Sequence, residues 1–101
     1  MEEVIVKIRK GPKHKKYTAI VKHKITKMER IIHFGANGYQ QYRDSTPLKL
    51  YKKYDHGDIK RMRRYYSRHS GTDKRLKAIK IEKQSSGYTY TPKILSHLYL
   101  W

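Results

Sequence analysis

The chain has 101 residues, a length that supports one hydrophobic core and argues against two. It has no cysteine, which excludes a disulfide scaffold and any thiolate metal or nucleophile chemistry. It carries 25 Lys and Arg against 8 Asp and Glu, a formal net charge of +17, so we expect a single basic domain over residues 1–101.

An alternating pattern near the start of the chain predicts the first β-strand. Residues 3–9 place the β-branched side chains of Val4, Val6 and Ile8 at every second position. Residues 10–13 then contain Gly and Pro, which end the strand because proline cannot donate a ladder hydrogen bond.

Two further strands are predicted at 17–21 and 30–34, which completes a three-stranded antiparallel meander. The first two strands enclose a basic hairpin loop, Lys13-His14-Lys15-Lys16. The third strand ends at Gly35-Ala36-Asn37-Gly38, where the Asn-Gly pair favours a turn because both residues tolerate positive φ.

Two helices are predicted in the middle of the chain. A short one spans residues 48–54, after a Ser-Thr-Pro sequence that suits a helix start. The longer one follows Asp58, a good N-cap residue, and runs from Ile59 to His69, just before Gly71. Its apolar side chains recur at helical spacing, and Lys and Arg occupy the opposite face.

The last third of the chain is less uniform. Residues 73–83 suit either a helix or a basic loop, and residues 84–87 suit a flexible connection. Thr91-Pro92 predicts a cap with a first-turn proline, followed by the apolar stretch 94–101, which we expect to dock onto the sheet or a partner. The predicted fold class is α+β: a small N-terminal antiparallel sheet of about three strands, packed by the basic 58–69 helix and the C-terminal apolar segment.

The charge balance predicts a polyanionic partner. A charge of +17 on so short a chain is unfavourable for an isolated folded state, because like charges repel one another. Nucleic acid, an anionic membrane surface and an acidic protein would each offset it, and nucleic acid is the commonest partner of small basic domains. The cations are spread along the chain, which favours a folded basic surface over a disordered tail.

Eight cations are the predicted contacts to phosphate groups. Five of them share the 58–69 helix and three lie in the hairpin loop, and each neutralised phosphate would release a counterion. The alternative interpretation of the helix is a solvated outer face. The predicted contacts are Lys13, Lys15, Lys16, Lys60, Arg61, Arg63, Arg64 and Arg68.

Six tyrosines cluster in the sequence between positions 39 and 66, and the cluster has two interpretations. Exposed tyrosines stack on nucleic-acid bases while neighbouring cations hold the backbone. Buried ones replace Leu and Phe in a thin core, with hydroxyls at its rim. We expect the second role for at least half of this set, which is Tyr39, Tyr42, Tyr51, Tyr54, Tyr65 and Tyr66.

The histidines do not predict a metal centre or an enzyme. No His pair has the spacing of a zinc site, and no cysteine assists. A nuclease would need converging carboxylates; His33, His56 or His69 would then act with Asp44, Asp55 or Asp58. The phosphate-loop, nucleophile-elbow and dinucleotide motifs are also missing, so we expect binding without catalysis, cofactor or metal.

Three motifs resemble a small uncharacterised domain family of the nucleocytoplasmic large DNA viruses. The likeness covers roughly residues 30–70 and the C-terminal segment, and this chain differs by a longer stretch between Tyr42 and His56. The motifs are Phe34-Gly35-x-x-Gly38-Tyr39-x-x-Tyr42, His56-x-Asp58-x-x-Arg61-x-x-x-Tyr65-x-x-Arg68-His69, and Pro92 to Leu100-Trp101.

The resemblance implies a viral protein found in the virion, and in the host cytoplasm or viral factory during assembly. It also suggests architectural roles for the shared residues. Asp58 would cap the helix, and Tyr65 and His69 would pack together against the sheet. Arg61 and Arg68 would pair with Asp44 or Asp55.

Two functions follow from these observations. The first is non-specific binding of nucleic acid, which we expect to be DNA, in packaging or condensing a viral genome. The second is a minor capsid or cement protein that bridges acidic capsid subunits or the anionic internal membrane, with the tyrosines and the apolar tail as interface anchors.

Overall fold

The N-terminal third forms the predicted antiparallel sheet. In the computed structural model, which describes residues 1–101, the strands are β1 (Glu3–Lys10), β2 (Lys15–His23) and β3 (Glu29–Ala36), in the order β1-β2-β3. Each strand extends beyond its apolar centre, because the flanking polar residues continue the same ladder of backbone pairs. The α+β class is confirmed.

One face of the sheet forms the core. Tyr17, Ala19 and Val21 of β2 are fully buried on it. In β1 the register shifts between Ile5 and Lys7, so the even alternation of the sequence is interrupted there. As a result Val4 and Val6 remain 44% and 55% exposed, while Ile5 and Ile8 pack against the core.

Three helices follow the sheet: α1 (Ile59–Ser70), α2 (Arg75–Ser85) and α3 (Pro92–Tyr99). The predicted caps of α1 and α3 are confirmed. The Asp58 carboxylate accepts hydrogen bonds from two first-turn backbone N–H groups of α1, and the Thr91 hydroxyl accepts one from Ile94 N in α3. Gly71 ends α1 with a φ of 71°. The ambiguous segment 73–83 lies mostly in α2, and none of the three helices is long and apolar enough to cross a membrane.

The short helix predicted over 48–54 is wrong. Only a single 3-10 turn, Lys52–Tyr54, is present there. The preceding backbone is fixed by a side chain instead of a helical ladder, since the Asp44 carboxylate accepts from the backbone N–H groups of Thr46 and Tyr51. Local hydrogen bonding of this kind competes with helix formation.

The helices stack on the sheet in a different order from the one expected. We expected the 58–69 helix to cover the sheet, but α3 contacts β3 and α1 packs on α2. The reason is that α3 buries Ile94 and Leu95 completely, whereas α1 has only a narrow apolar stripe. Gly35 permits the close approach, because a Cβ there would lie 2.8 Å from Leu100 Cδ1 at a φ of +78°.

Candidate functional site

A cleft of about 750 Å³ opens between α1, α3 and the turn that follows β3. Such a volume lies within the range of ~300–1,000 Å³ typical of ligand sites in proteins. Its walls combine cations with aromatic rings. The cations and the two accessible aromatic rings that line it include Lys15, Tyr39, Arg61, Arg68, Lys93 and Trp101.

The cations of the cleft are poorly matched by carboxylates. Of the 25 Lys and Arg in the chain, only Arg30 and Lys93 form an ion pair with a carboxylate. Arg61 donates to the neutral Oε1 of Gln40 at 2.9 Å, which orients the guanidinium without neutralising it. Arg68 is exposed and has no acidic partner. The cleft therefore has an excess of positive charge.

One wall of the cleft is a fixed pair of aromatic rings. Tyr65 and Trp101 lie parallel, with centroids 4.2 Å apart and an interplanar angle of 4°. His69 contacts Tyr65 from one turn along α1, with ring centroids 4.5 Å apart. Tyr65 and His69 thus pack together as expected, but against Trp101 and α3 and not against the sheet.

A buried chain of hydrogen bonds holds this wall in place. The Tyr65 hydroxyl lies 2.9 Å from Nδ1 of His97, and the Ser70 hydroxyl lies 2.8 Å from Nε2. Because Ser70 also donates to the Glu82 carboxylate, its oxygen is free to accept from His97 Nε2–H while Tyr65 donates to Nδ1. Burial, followed by the neighbouring cationic side chains, lowers the pKa of His97 to about 4. The imidazole is therefore neutral at physiological pH.

Two further histidines, one in the cleft and one beside it, have lowered pKa values because of burial and, second, nearby cations. Burial lowers the pKa of His69, and the adjacent Arg68 and Lys93 lower it further. Burial also lowers the pKa of His56, with Arg61 as the next cause. Each shift disfavours a positive charge on these rings.

The predicted phosphate contacts are only partly brought together. Lys15, Arg61 and Arg68 line the cleft. Lys60 and Arg64 are exposed on the adjacent strip of α1, one turn apart. Arg63 is exposed on the far side of the helix from Arg61, because positions two residues apart in an α-helix differ by about 200° around its axis. Lys13 is exposed in the hairpin loop.

Lys16 has to be removed from the predicted surface contacts, because its side chain is buried. Only 2% of the residue is exposed. Its Nζ donates to the backbone oxygen of Tyr39 at 2.6 Å and to Oε1 of Gln41. Burial lowers its pKa to about 8, against the opposing pull of Asp44 and Asp55. Lys16 therefore holds the segment after β3 in place. It also lines the cleft, but its Nζ is engaged by Tyr39 and Gln41.

The predicted pairing of Arg61 and Arg68 with Asp44 or Asp55 is also wrong. Asp44 is buried and accepts from the Tyr17 hydroxyl, and Asp55 accepts from the Gln41 side-chain amide at 2.7 Å. These carboxylates are thus satisfied inside the protein, away from the arginines. We call the joined set of Lys16, Tyr17, Gln41, Asp44 and Asp55 the buried network.

Of the residues considered for a nuclease, Asp44, Asp55, His56 and Asp58 lie near one another, whereas His33 on β3 and His69 on α1 lie apart. His33 lies on β3 with its Nδ1 2.7 Å from the Thr18 hydroxyl, and Asp58 is occupied as the cap of α1. Nowhere do three His, Asp or Glu side chains converge as a metal site would require.

The expectation for the tyrosines is confirmed for half of the set. Tyr51, Tyr65 and Tyr66 are buried in the core. Tyr39 is the opposite case, because 71% of it is exposed beside the cleft. The sequence thus predicted a division between core and surface tyrosines, without showing which member is which.

The cleft itself was missed by sequence reasoning. Most residues of the three motifs line it, although the motifs were interpreted as architectural. The signal lies in their residue types, since aromatic side chains recur in all three motifs and basic ones in the second and third. A comparison with family models, curated proteins and solved structures finds no match for this chain. The resemblance to the viral family therefore stays a prediction.

Proposed function

We propose that the protein binds nucleic acid without sequence preference, through the cations that surround the cleft. One observation carries the proposal. Lys15 from β2 meets Arg61 and Arg68 from α1 around a single cleft, and none of the three has a carboxylate partner. Cations that folding brings together and leaves unpaired need an anion from outside the protein.

A repeating polyanion suits this surface better than a single small anion. Lys60 and Arg64 continue the positive strip along α1, and Lys13 extends it beyond Lys15. Contacts of this kind reach phosphates, which are the same for every base sequence. Binding of the proposed type is therefore sequence-independent and weakens steeply with salt, because each phosphate contact releases counterions.

The resemblance to the viral family suggests that this binding takes place during assembly of a virion. A small basic protein of a virion would coat or condense the genome during packaging in the viral factory. Such a role needs only charge density and a folded surface, without catalysis.

A second function has its own supporting observation. The outer face of the sheet is not covered by any helix, and Val4, Val6 and Ile31 are exposed there. Exposed apolar side chains on one face are typical of protein contacts. A minor capsid or cement protein would use this face against a capsid subunit, with the basic surface turned toward acidic protein or membrane.

The experiment is a binding titration at several salt concentrations. Fluorescence anisotropy with labelled random-sequence DNA, duplex and single-stranded, gives the dissociation constant and its salt slope. We expect micromolar binding at low salt and a slope of about −0.9 per phosphate contact on duplex. The double variant Arg61→Gln/Arg68→Gln reduces the slope by about two units.

The matched control removes two charges elsewhere. Lys77 and Lys80 are exposed on α2, which does not line the cleft. The double variant Lys77→Gln/Lys80→Gln has the same net charge as the cleft variant, and we expect it to lose less than half as much affinity. Equal losses would show that only net charge matters, and no binding to either form of DNA at low salt would refute the proposal.

A further inference from the structure

Two exposed or half-exposed aromatic rings in the cleft have no role in phosphate contact. Tyr39 is 71% exposed on one wall and Trp101 is half-buried on another. A single exposed aromatic ring is common on protein surfaces, but two rings beside one cleft form a surface on which a planar ligand can stack. Their position among unpaired cations is therefore the feature that needs an explanation.

The Trp101 ring and the backbone that carries Tyr39 are held in place before any ligand arrives. The backbone oxygen of Tyr39 accepts a hydrogen bond from the buried Lys16 Nζ at 2.6 Å. Trp101 is stacked on Tyr65 and also contacts His56, with ring centroids 5.3 Å apart, and the Tyr65 hydroxyl is fixed by His97. Fixing a recognition surface in advance lowers the entropic cost of binding.

The size of the cleft limits what can enter it. A volume of about 750 Å³ is that of a small-molecule site, enough for a nucleotide or two and too small for a duplex. Bases within a duplex keep their faces stacked on one another, whereas unpaired bases expose them. Aromatic platforms beside a positively charged groove are the usual means of binding such bases.

We propose that the cleft binds an unpaired nucleotide of a single-stranded nucleic acid, with the base against Tyr39 and Trp101 and the phosphates at Lys15, Arg61 and Arg68. This inference rests on the proposed function and makes it more specific. Duplex phosphates reach the cations around the cleft but present no unpaired base to Tyr39 and Trp101, so single strands bind more tightly than duplex of equal length.

The test uses Trp101, which is the only tryptophan of the chain. Its fluorescence, excited beyond the tyrosine band, is followed during titration of the full chain with oligothymidylate, with oligouridylate and with a DNA hairpin of equal charge whose loop is a non-nucleotide linker. We expect quenching by both single strands and little change with the hairpin. The two single strands distinguish DNA from RNA as the source of the nucleotide.

Substitutions of exposed tyrosines test whether the bound base stacks on Tyr39. We expect Tyr39→Ala to weaken binding of the single strand by about fivefold or more, and Tyr39→Phe to restore it, because stacking needs the ring and not the hydroxyl. Tyr88 is an exposed tyrosine outside the cleft, so Tyr88→Ala leaves single-strand affinity unchanged.

The outcomes separate this inference from the proposed function. If single strand and hairpin bind equally, without quenching and without an effect of Tyr39→Ala, the inference is overturned and the proposed function stands. If neither nucleic acid binds at low salt, both fail. Tighter binding of single strands, with quenching and the Tyr39 dependence, supports both.

Discussion

The buried network and the cleft are built from the same kinds of residue but have opposite roles. In the buried network, Lys16 donates to Gln41 and to the Tyr39 backbone, and Asp44 accepts from Tyr17. In the cleft, Lys15 and Arg68 lie in solvent without a carboxylate. The comparison teaches that residue type does not show whether a charged side chain stabilises the fold or is available to a ligand. Its hydrogen-bond and ion-pair partners show this.

The two regions meet at Gly35. The aliphatic part of Lys16 lies against one side of this residue, and Leu100 lies against it from α3. Gly35 also lines the cleft. The buried network thus supports the floor of the cleft at Gly35. Effects on stability and on binding are therefore separated by substituting residues of the network and residues of the cleft in different variants.

The largest expected effect comes from breaking the network at Asp44. The substitution Asp44→Ala leaves the Tyr17 hydroxyl, Thr46 and the Tyr51 N–H without their acceptor inside the protein. We expect the free energy of unfolding to fall by about 4 kcal/mol, measured by urea denaturation.

Substitutions of the cleft arginines should leave the free energy of unfolding almost unchanged, in contrast to Asp44→Ala. Arg61→Gln and Arg68→Gln should change the free energy of unfolding by less than about 0.5 kcal/mol, because neither arginine is paired with a carboxylate. A large loss in either arginine variant, or none in Asp44→Ala, would remove the distinction between the two regions.

The next effect is a loss of stability in acid, caused by the histidine behind the cleft. The pKa of His97 is about 4 in the folded protein and 6.5 as its ordinary value, so the unfolded chain binds a proton first as the pH falls. We expect the free energy of unfolding to drop by about 3 kcal/mol between pH 6.5 and pH 4 from this group, with smaller contributions of the same sign from His56 and His69.

Denaturation curves of variants across this pH range provide the check. His97→Gln is less stable at neutral pH, but its stability depends less on pH between 6.5 and 4. His14 is exposed on the hairpin loop, so His14→Gln keeps the full pH dependence. If His97→Gln keeps it as well, the buried neutral imidazole is not its cause.

The smallest effect concerns Lys16 at alkaline pH. Its pKa is about 8 in the folded protein and 10.5 as its ordinary value, so the unfolded chain holds this proton more tightly between the two. The free energy of unfolding should therefore rise with pH, by about 2 kcal/mol between pH 8 and pH 10. Above pH 10 the tyrosines act in the opposite direction, since burial raises the pKa of Tyr17 to about 12.

Unfolding at pH 8, 9 and 10 tests this expectation. Lys16→Met removes the rise, whereas Lys15→Met, at the exposed neighbouring position, keeps it. A rise that persists in Lys16→Met would mean that the lowered pKa of Lys16 is not its cause.

Local signals predicted most of the secondary structure. The strands followed from β-branched alternation, and the caps at Asp58 and Thr91 followed from short polar side chains before a helix. Segment 73–83 stayed ambiguous because its apolar residues do not share one face, and Leu76 is 78% exposed in α2.

The candidate site depends on contacts that local patterns do not contain. Lys16 stands in a run of exposed cations, and its burial depends on Gln41, 25 residues further along the chain. The aromatic wall joins Tyr65 to Trp101 through the packing of α3 beside α1. The sequence predicted five cations on one helix, but only the fold shows that Arg61 and Arg68 face the same cleft as Lys15.

The most direct test of the account is to map the binding surface by NMR while an oligonucleotide is added to the full chain. The account predicts that the largest shift changes fall on the Trp101 indole N–H, on Tyr39 and on the Arg61 and Arg68 side chains. Changes confined to Val4, Val6 and Ile31 on the uncovered face of the sheet would contradict it.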